Sequence, residues 1–276
     1  MKKLYACLAL LICTHANAIV ITSVDDGSTL ASNIEGSDVS IDFSSINYVG
    51  SSSQAGTFTG GIASGIGIDA GIILTSGTAA DAAGPNTSTS TTTELGAGGD
   101  SDLSDLVAGV ATFDANILEF EFTTPTGDLF FDFVFASEEY NEFLDFVDPF
   151  GLFVDGVNYA LAPDGQAIAV STVNCGESGV DITGPNCSFF NNNDLGLFDI
   201  EYDGFTDVFT AMITGLGAGT HTMKIAISDA TDDELDSAVF IEAGSFSGVN
   251  PRPVPAPAIF ILILLALAFV FPKRKI

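Results

Sequence analysis

Leu118-Glu-Phe-Glu-Phe122 and Leu129-Phe-Phe-Asp-Phe-Val-Phe135 are the two segments that decide the fold. In the first, large apolar residues alternate with glutamates, and in the second a Leu or Phe occupies every other position. Alternation with a period of two is typical of β-strands that bury one face. The intervening Thr124-Pro-Thr-Gly-Asp128 has the composition of a turn, so the sequence predicts that the two strands form a hairpin.

Further strands are predicted along the chain, separated by turns rich in Gly, Asp and Asn. They are residues 19–24, 39–43, 71–75, 150–155, 157–161, 167–173, 197–202, 207–214, 220–228 and 238–246. Asp155-Gly156 predicts a tight hairpin, and residues 101–108 read as the one convincing helix, with Asp100 or Ser101 as its N-cap. The expected fold is all-β: a β-sandwich, jelly-roll-like, with one short helix.

Two loops stand out between the predicted strands. Residues 87–93 are a Ser/Thr run inside the Gly-rich stretch 79–99, which predicts a long mobile surface loop. The other loop lies between Cys175 and Cys187. In an exported protein two lone cysteines favour a disulfide, worth about 3 kcal/mol for a loop of this size, whereas metal binding by the pair would lack further soft ligands.

The charge of the chain excludes several functions. All 36 acidic residues lie between residues 19 and 250, where Lys224 is the only Lys or Arg. Such a surface repels phosphate, so nucleic-acid binding is excluded. With His221 as the only His in that stretch, His-based catalysis and zinc binding lack partners. Carboxylate, amide and carbonyl oxygens remain abundant, and these are the ligands that calcium prefers.

The N-terminus predicts export. Residues 1–18 contain two lysines, a short apolar run and the small residues Ala16 and Ala18 at the positions of a signal-peptidase site. The apolar run is too short for a transmembrane anchor. The sequence therefore predicts a signal peptide over residues 1–18, a mature start at Ile19 and one acidic domain over residues 19–250.

The C-terminal residues 251–276 predict a sorting tail in three parts. They are the motif Val254-Pro255-Ala256-Pro257, the apolar residues 258–271 and the basic residues 273–275. As a helix the apolar run spans about 21 Å, marginal for a bilayer, so contact with the membrane is expected only through this helix and before processing. The tail resembles the PEP-CTERM sorting signal of Gram-negative bacteria, although Ala256 stands where that signal has Glu. The resemblance implies processing by an exosortase-type membrane enzyme.

Three segments concentrate oxygen ligands: residues 136–148, 191–194 and 229–236. Carboxylates crowded at the ends of adjacent strands need either protons or a metal to coexist. The hypothesis is one or more calcium sites built from Glu138, Glu139, Asp148, Asp229 and Asp236. Two simpler interpretations stay open: the segments are solvated loops, or Asp236 bonds backbone amides in a turn.

The same carboxylates also admit an enzymatic interpretation. A glycosidase needs only two suitably spaced carboxyl groups, so a carboxylate-dependent polysaccharide hydrolase is the alternative function. Residues 19–250 contain neither Trp nor Arg to grip a sugar, and the Asp-Thr/Ser-Gly and Gly-x-Ser-x-Gly signatures are absent. The sequence therefore favours a non-catalytic binding or structural module over an enzyme.

Several segments together resemble the choice-of-anchor L domain. They are residues 71–77, 83–86, 99–103, 114–122, 133–142, 148–156, 224–229 and 236–246, so that the resemblance covers residues 61–246. Phe135-Ala-Ser-Glu-Glu-Tyr140 is its most specific element. The resemblance implies a bacterial cell-surface or extracellular-matrix protein with a lineage-specific C-terminal anchor, and it implies no catalytic residues. A surface polysaccharide or another matrix component is the expected partner, with calcium bridging between molecules as a further possibility.

Overall fold

The computed structural model describes residues 19–251, which form two antiparallel β-sheets. The signal peptide expected at residues 1–18, with Ala16 and Ala18, and the sorting tail expected at 254–257, 258–271 and 273–275 lie outside these residues. No helix within residues 19–251 combines the length and apolarity needed to cross a bilayer.

The strands and helices are connected by loops, the longest of which covers residues 83–100. The strands are β1 (Val20–Ser23), β2 (Ser40–Val49), β3 (Ala55–Thr59), β4 (Ala70–Thr75), β5 (Thr112–Thr123), β6 (Leu129–Ser137), β7 (Pro149–Val154), β8 (Val157–Asn158), β9 (Ile168–Ala169), β10 (Phe190–Asn192), β11 (Gly204–Thr206), β12 (Phe209–Ile213), β13 (His221–Ala230) and β14 (Ser237–Glu242). The α-helices are α1 (Gly27–Ile34), α2 (Gly61–Ser64) and α3 (Ser101–Leu106), and 3-10 turns cover Ala79–Ala82, Val170–Thr172 and Cys187–Phe189.

One sheet has eight strands and the other has six. In the larger sheet the order is β1-β3-β4-β14-β6-β11-β10, with β12 also paired to β6. In the smaller sheet the order is β2-β5-β13-β7-β8, with β9 also paired to β7. The all-β prediction is confirmed and the two sheets pack as a sandwich, while the jelly-roll-like connectivity stays a prediction.

The core between the sheets is aromatic. Phe133 of the larger sheet packs on Phe150 of the smaller one, with ring centroids 5.0 Å apart. Phe246 lies between Phe120 and Phe131, at centroid distances of 5.3 and 5.9 Å. Because such tilted and edge-to-face aromatic pairs add to the gain from burying apolar area, this layer holds the two sheets in a fixed relation.

The predicted hairpin between β5 and β6 is wrong. β5 pairs with β2 and β13, whereas β6 pairs with β14, β11 and β12, so residues 124–128 carry the chain from one sheet to the other. Both strands direct alternate Leu and Phe side chains into the same core, from opposite sides. The period-two pattern indicates which face of a strand is buried, but it does not indicate which strand is its hydrogen-bonded neighbour.

The helix content exceeds the one short helix that was predicted. α3 begins after its N-cap Asp100, whose side chain accepts from the amides of Asp102 and Leu103. The sequence reasoning missed α1, which buries Leu30, Ala31 and Ile34 and is capped by Asp26. The spacing of its apolar residues and its N-cap Asp are ordinary helix signals, obscured by the β-branched and Gly residues around them.

The strand boundaries hold in part. The Asp155-Gly156 hairpin is confirmed by pairing of Val154 with Val157. Residues 197–202, predicted as a strand, lie outside any strand, and the strand expected at 167–173 is only β9 followed by a 3-10 turn. β3, β10 and β11 were not predicted. Cys175 and Cys187 form the expected disulfide.

Candidate cation-binding site

One end of the sandwich gathers strand termini from both sheets. β6 ends there at Ser137, and β14 begins beside it at Ser237. From the smaller sheet, β7 begins and β13 ends at the same place, since the hydroxyl of Ser237 donates to Asp148 Oδ2 at 2.7 Å and the amide of Ala230 donates to Asp148 Oδ1 at 2.8 Å. We call this the acidic end of the sandwich.

The five carboxylates predicted to bind a metal all lie at the acidic end. Glu138 and Glu139 follow β6, Asp148 precedes β7, Asp229 is the next-to-last residue of β13 and Asp236 precedes β14. Each of the five residues is no more than 2 % exposed. The amide of Glu138 donates to the carbonyl of Asp236 at 3.1 Å, which joins the two larger-sheet segments directly. We call these five residues the primary cluster.

Three members of the primary cluster carry buried oxygens without a donor. Both carboxylate oxygens of Glu138, both of Asp229 and Oε2 of Glu139 lack a hydrogen-bond partner. The Ser76 hydroxyl lies near Asp229 but donates to the carbonyl of Ser237, at 3.4 Å. Buried carboxylates are normally paired or hydrogen-bonded, because desolvating one without a partner costs several kcal/mol.

The other two members are held by hydrogen bonds. Asp148 accepts from Ala230 and Ser237, as described above. Asp236 accepts from the amide of Thr93 at 2.9 Å and more weakly from that of Thr78 at 3.4 Å. Asp236 therefore bonds backbone amides, but these belong to distant segments of the chain and not, as the sequence interpretation had it, to a turn of its own. These bonds fix two carboxylates in place beside the three that lack donors.

Burial and mutual repulsion shift the acidity of the whole cluster. Burial first, and then the charges of Asp203 and Glu201, raise the pKa of Glu138 to about 10, while the backbone amide of Thr91, which lies near the carboxylate but outside hydrogen-bond geometry, lowers it. Burial and the charge of Asp148 raise the pKa of Glu139 to about 9.

The pKa values of the three aspartates in the primary cluster are raised as well. Burial raises the pKa of Asp148 and, together with the charge of Asp148, raises that of Asp229. Burial likewise raises the pKa of Asp236 to about 6. Ionising Glu138 and Glu139 at neutral pH therefore requires an external positive charge.

The basic side chains within residues 19–251 lie elsewhere. Lys224 contacts Asp100 and Asp102 at 2.7 Å each, on the outer face of the smaller sheet. His221 contacts Asp155 at 2.7 Å. His221 begins β13 and Asp229 lies at its other terminus, about 25 Å away along an extended strand. In the part of the chain that the structure describes, neither basic group neutralises the primary cluster.

A loop covers the acidic end. Residues 86–97, which we call the strap, include the Ser/Thr run that was expected to be a mobile surface loop. The strap is instead tied down: Thr87 and Thr91 donate to Glu201, the amide of Thr93 donates to Asp236, and the amides of Leu95 and Ala97 donate to Asp114. Buried carboxylates thus hold the strap in place, and the strap in turn removes those carboxylates from water.

Sequence reasoning missed Asp203, Asp114 and Glu201 at this end, and it included Asn141 only as part of the oxygen-rich segment 136–148. Asp203 and Asn141 are each 1 % exposed, and Asp114 and Glu201 are also buried. Asp203 was overlooked because residues 197–202 were taken as a strand, although Asp203-Gly204 just before β11 is a turn signal. Asp114 lies within β5, where a carboxylate on a buried face gives no signal that distinguishes it from an exposed one.

The arrangement is suited to hard cations with mixed ligands. Among residues 19–251, no group of three or more Asp, Glu, His or Cys side chains is arranged to hold a metal ion. The acidic end offers pairs of carboxylates together with hydroxyl, amide and carbonyl oxygens. Calcium takes six to eight oxygens and readily includes carbonyl groups and water among them, so carboxylate pairs fit such an ion.

Comparison with known proteins places the chain in a family. The model of the Choice-of-anchor L domain matches residues 18–247, which extends the resemblance first seen over residues 61–246 back to the start of the described chain. Neither a curated protein nor a solved structure shows significant similarity to it. The match spans both sheets, the strap and the acidic end. The chain belongs to the Choice-of-anchor L domain family, and this membership indicates an exported, surface-associated protein.

Proposed function

We propose that this protein is a non-catalytic surface module whose acidic end is stabilised by bound calcium. The observation that carries the proposal is the state of Glu138 and Asp229, which are 1 % and 0 % exposed and whose carboxylate oxygens have no hydrogen-bond partner. A stable fold rarely leaves such groups unsatisfied, because each costs the full desolvation penalty.

Protonation alone does not satisfy these groups. A protonated carboxyl carries an O–H donor, and Glu138 has no acceptor within hydrogen-bond geometry of either oxygen. A divalent cation satisfies several oxygens at once and removes the repulsion among the carboxylates. The ligands are all hard oxygens, which favours calcium over zinc or copper.

The burial of the primary cluster also supports a non-catalytic role. A glycosidase must present two carboxyl groups to the sugar on either side of the scissile bond. Here every member of the cluster is at most 2 % exposed, and the strap lies over Asp236. The alternative, a polysaccharide hydrolase, requires the purified protein to cleave a polysaccharide and the Glu138→Gln variant to lose that cleavage.

The proposal assigns attachment to the C-terminal tail. Residues 254–257 resemble the PEP-CTERM motif and precede an apolar run and a basic end, the order expected of a signal that an exosortase-type enzyme processes at the inner membrane of a Gram-negative cell. Mass spectrometry of the surface-exposed protein tests this step. A C-terminus at or before the motif supports it, and an intact Lys273 to Ile276 end contradicts it.

At the cell surface the proposed partner is a polysaccharide or another matrix component. A rigid, highly acidic module that binds calcium can contact anionic polymers through shared cations, whereas its own charge would otherwise repel them. Sedimentation with matrix polysaccharides in calcium and in EDTA tests this step. Calcium-dependent co-sedimentation supports the partner, and equal behaviour in both buffers contradicts it.

The central test is a calcium titration of the mature protein by calorimetry, paired with thermal melts in calcium and in EDTA at pH 7.5. Binding at 100 to 1,000 times the dissociation constant stabilises by about 3 to 4 kcal/mol, so a rise in Tm of roughly 5 to 15 °C is expected. Asp102→Asn, a carboxylate-to-amide change far from the acidic end, should keep this rise. No binding heat together with an unchanged Tm would rule out the calcium role.

A further inference from the structure

A second group of oxygen ligands lies beside the primary cluster and shares none of its residues. It consists of Asn141, Glu142, Asp194 and Asp203, which we call the lateral cluster. Asp203 immediately precedes β11, Asp194 follows β10, and Asn141 lies in the loop after β6. Since β10, β11 and β6 are neighbours in the larger sheet, their termini meet at this edge of the acidic end.

Asparagine side chains hold the carboxylates of the lateral cluster in place. Asn141 Nδ2 donates to both oxygens of Asp194, at 2.9 Å each. Asn86 Nδ2, from the strap, donates to Asp203 Oδ1 at 2.6 Å. The amide of Asn141 donates to Glu142 Oε2 at 2.8 Å. Three carboxylates are thus positioned by neutral donors, with no basic group among them.

Two buried oxygens in this cluster have no partner. They are Asn141 Oδ1 and Asp203 Oδ2, each on a residue that is 1 % exposed. The amide orientation of Asn141 is fixed, because reversing it would turn its oxygen toward the Asp194 carboxylate. An amide oxygen is not relieved by protonation near neutral pH, so it needs either a donor or a cation.

The electrostatics agree with this geometry. Burial first raises the pKa of Asp203, to about 7, the hydrogen bond from Asn86 lowers it, and the charges of Asp194, Glu142 and Glu201 raise it further. Glu142 and Asp194 are exposed residues, so the cluster opens to solvent at its outer side. The buried oxygens of Asn141 and Asp203 could therefore face a bound ion, and the exposed Glu142 and Asp194 leave a path by which the ion enters from solvent.

We propose that the lateral cluster binds a second hard divalent cation, separate from the ion at the primary cluster, through Asn141 Oδ1, Asp203 Oδ2 and the carboxylate of Asp194, with Glu142 at the solvent side of the site. The mixture of amide and carboxylate oxygens is typical of calcium sites. This site sits at the junction of β10, β11 and the strap, so the ion fixes the edge of the larger sheet.

The test is the number of ions bound per chain, measured by calorimetry with calcium on the mature protein and repeated with terbium luminescence sensitised by tyrosine. We expect two ions for the natural chain, one for Asp203→Asn, one for Asp229→Asn and none for the double variant. Asp207→Asn is the matched control, because Asp207 contacts Asn191 at this edge but is exposed and outside the cluster. It should retain both ions.

The outcomes separate this proposal from the calcium role of the primary cluster. Two ions retained by Asp203→Asn, or a single ion that only Asp229→Asn removes, overturns the second site and leaves the first. A single ion that only Asp203→Asn removes does the reverse. Asn141→Ala keeps every charge and removes one ligand oxygen, so it should weaken one ion about tenfold, and unchanged affinities would contradict the ligand assignment. Far-UV circular dichroism of each variant confirms that it is folded.

Discussion

The charged groups at one end of the sandwich have partners from the protein, whereas several at the other end have none. Strand β13 runs from one end to the other. At its first residue, His221 Nδ1 lies 2.7 Å from Asp155 Oδ2 and Nε2 lies 2.9 Å from the carbonyl of Gly217. Both neighbours are acceptors, so both ring nitrogens carry hydrogen and the ring is a cation. Asp155 also accepts from the amide of Thr222 at 2.9 Å. Every charge in this group has a partner from the protein.

At the other terminus of β13, Asp229 is fully buried and has no donor on either oxygen. The same strand therefore ends in a satisfied ion pair on one side and in an unsatisfied carboxylate on the other. Because one sequence builds both ends, the lack of donors at the acidic end is not a general property of the fold. It marks the place where a component from outside the chain completes the structure, and the following predictions test that contrast.

Among the substitutions, the largest expected effect comes from a carboxylate at the acidic end that does have donors. Asp114 is fully buried and accepts from the strap amides of Leu95 and Ala97. Replacing it in Asp114→Ala strands two backbone donors and frees the strap. We expect a loss of about 4 kcal/mol, or a fall in Tm of roughly 10 °C, in calcium and in EDTA alike.

Differential scanning calorimetry in both buffers checks this prediction. Asp102→Asn serves as the control, since it removes an exposed carboxylate and should shift Tm by no more than about 2 °C. If Asp114→Ala lowered Tm only slightly, or only in EDTA, the presence of hydrogen-bond donors would not explain how the buried carboxylates differ in their contribution to stability.

The next effect is the pH dependence of the free energy of unfolding of the metal-free protein. The pKa values of Glu138 and Glu139 are raised in the folded state, to about 10 and about 9, above the ordinary value near 4.5 that applies when unfolded. Above that value the unfolded chain loses protons that the folded chain keeps, so stability is full below about pH 4.5 and falls as pH rises toward the folded pKa values.

Each of the two carboxyls contributes about 1.4 kcal/mol per pH unit, or about 3 kcal/mol over the interval from pH 5 to pH 7.5. In EDTA we therefore expect the free energy of unfolding, measured by urea denaturation, to drop by about 6 kcal/mol over this range. In saturating calcium the drop should be much smaller, because the ion replaces the protons and releases them on binding. A metal-free protein that grows more stable over this range would contradict the unsatisfied state of the primary cluster.

A smaller effect is expected from Glu138→Gln, which keeps the shape of the side chain and removes its charge. In EDTA at pH 8 the variant should gain about 1 to 2 kcal/mol, because a buried carboxylate without donors no longer needs to ionise or hold a proton. In calcium it should lose a ligand and gain nothing. The difference between the urea midpoints in calcium and in EDTA should therefore be smaller for the variant than for the natural chain. An equal difference would exclude Glu138 as a ligand.

Many of the strands were predictable from the local alternation of apolar residues, but the pairing of strands within the sheets was not. The alternation in β5 and β6 identified two strands with buried faces, since the pleat places every second side chain on one side. It did not predict that residues 124–128 cross between sheets, because two strands facing one core have the same pattern whether they are neighbours or opposed. The buried run of β6 also reflects a second apolar layer, which contains Phe205 and Tyr202.

The primary cluster was predictable because its residues flank strong strands, and strand ends in an antiparallel sheet meet at a common edge. Its burial was not, since that depends on the strap, whose Ser/Thr composition indicates only a loop. The lateral cluster was predicted only in part, since the oxygen-rich segments 136–148 and 191–194 include Asn141, Glu142 and Asp194 but not Asp203. Asp203 and Asn141 are ordinary turn residues in the sequence, and only the pairing of β10 with β11 and of β11 with β6 brings them together.

The smallest effect belongs to the opposite end. Hydrogen bonds to Asp155 and to the carbonyl of Gly217 raise the pKa of His221 above 6.5, so its contribution is full below about pH 6.5 and is lost as pH rises through the folded value. We expect His221→Gln to cost less than about 1 kcal/mol at pH 5.5 and close to nothing at pH 9, by urea denaturation. The loss should be identical in calcium and in EDTA, because the ion pair has no oxygen left without a donor. A loss that grows with pH, or one that calcium changes, would mean that the two ends of β13 are coupled and that the charges of this sandwich do not divide into two independent regions.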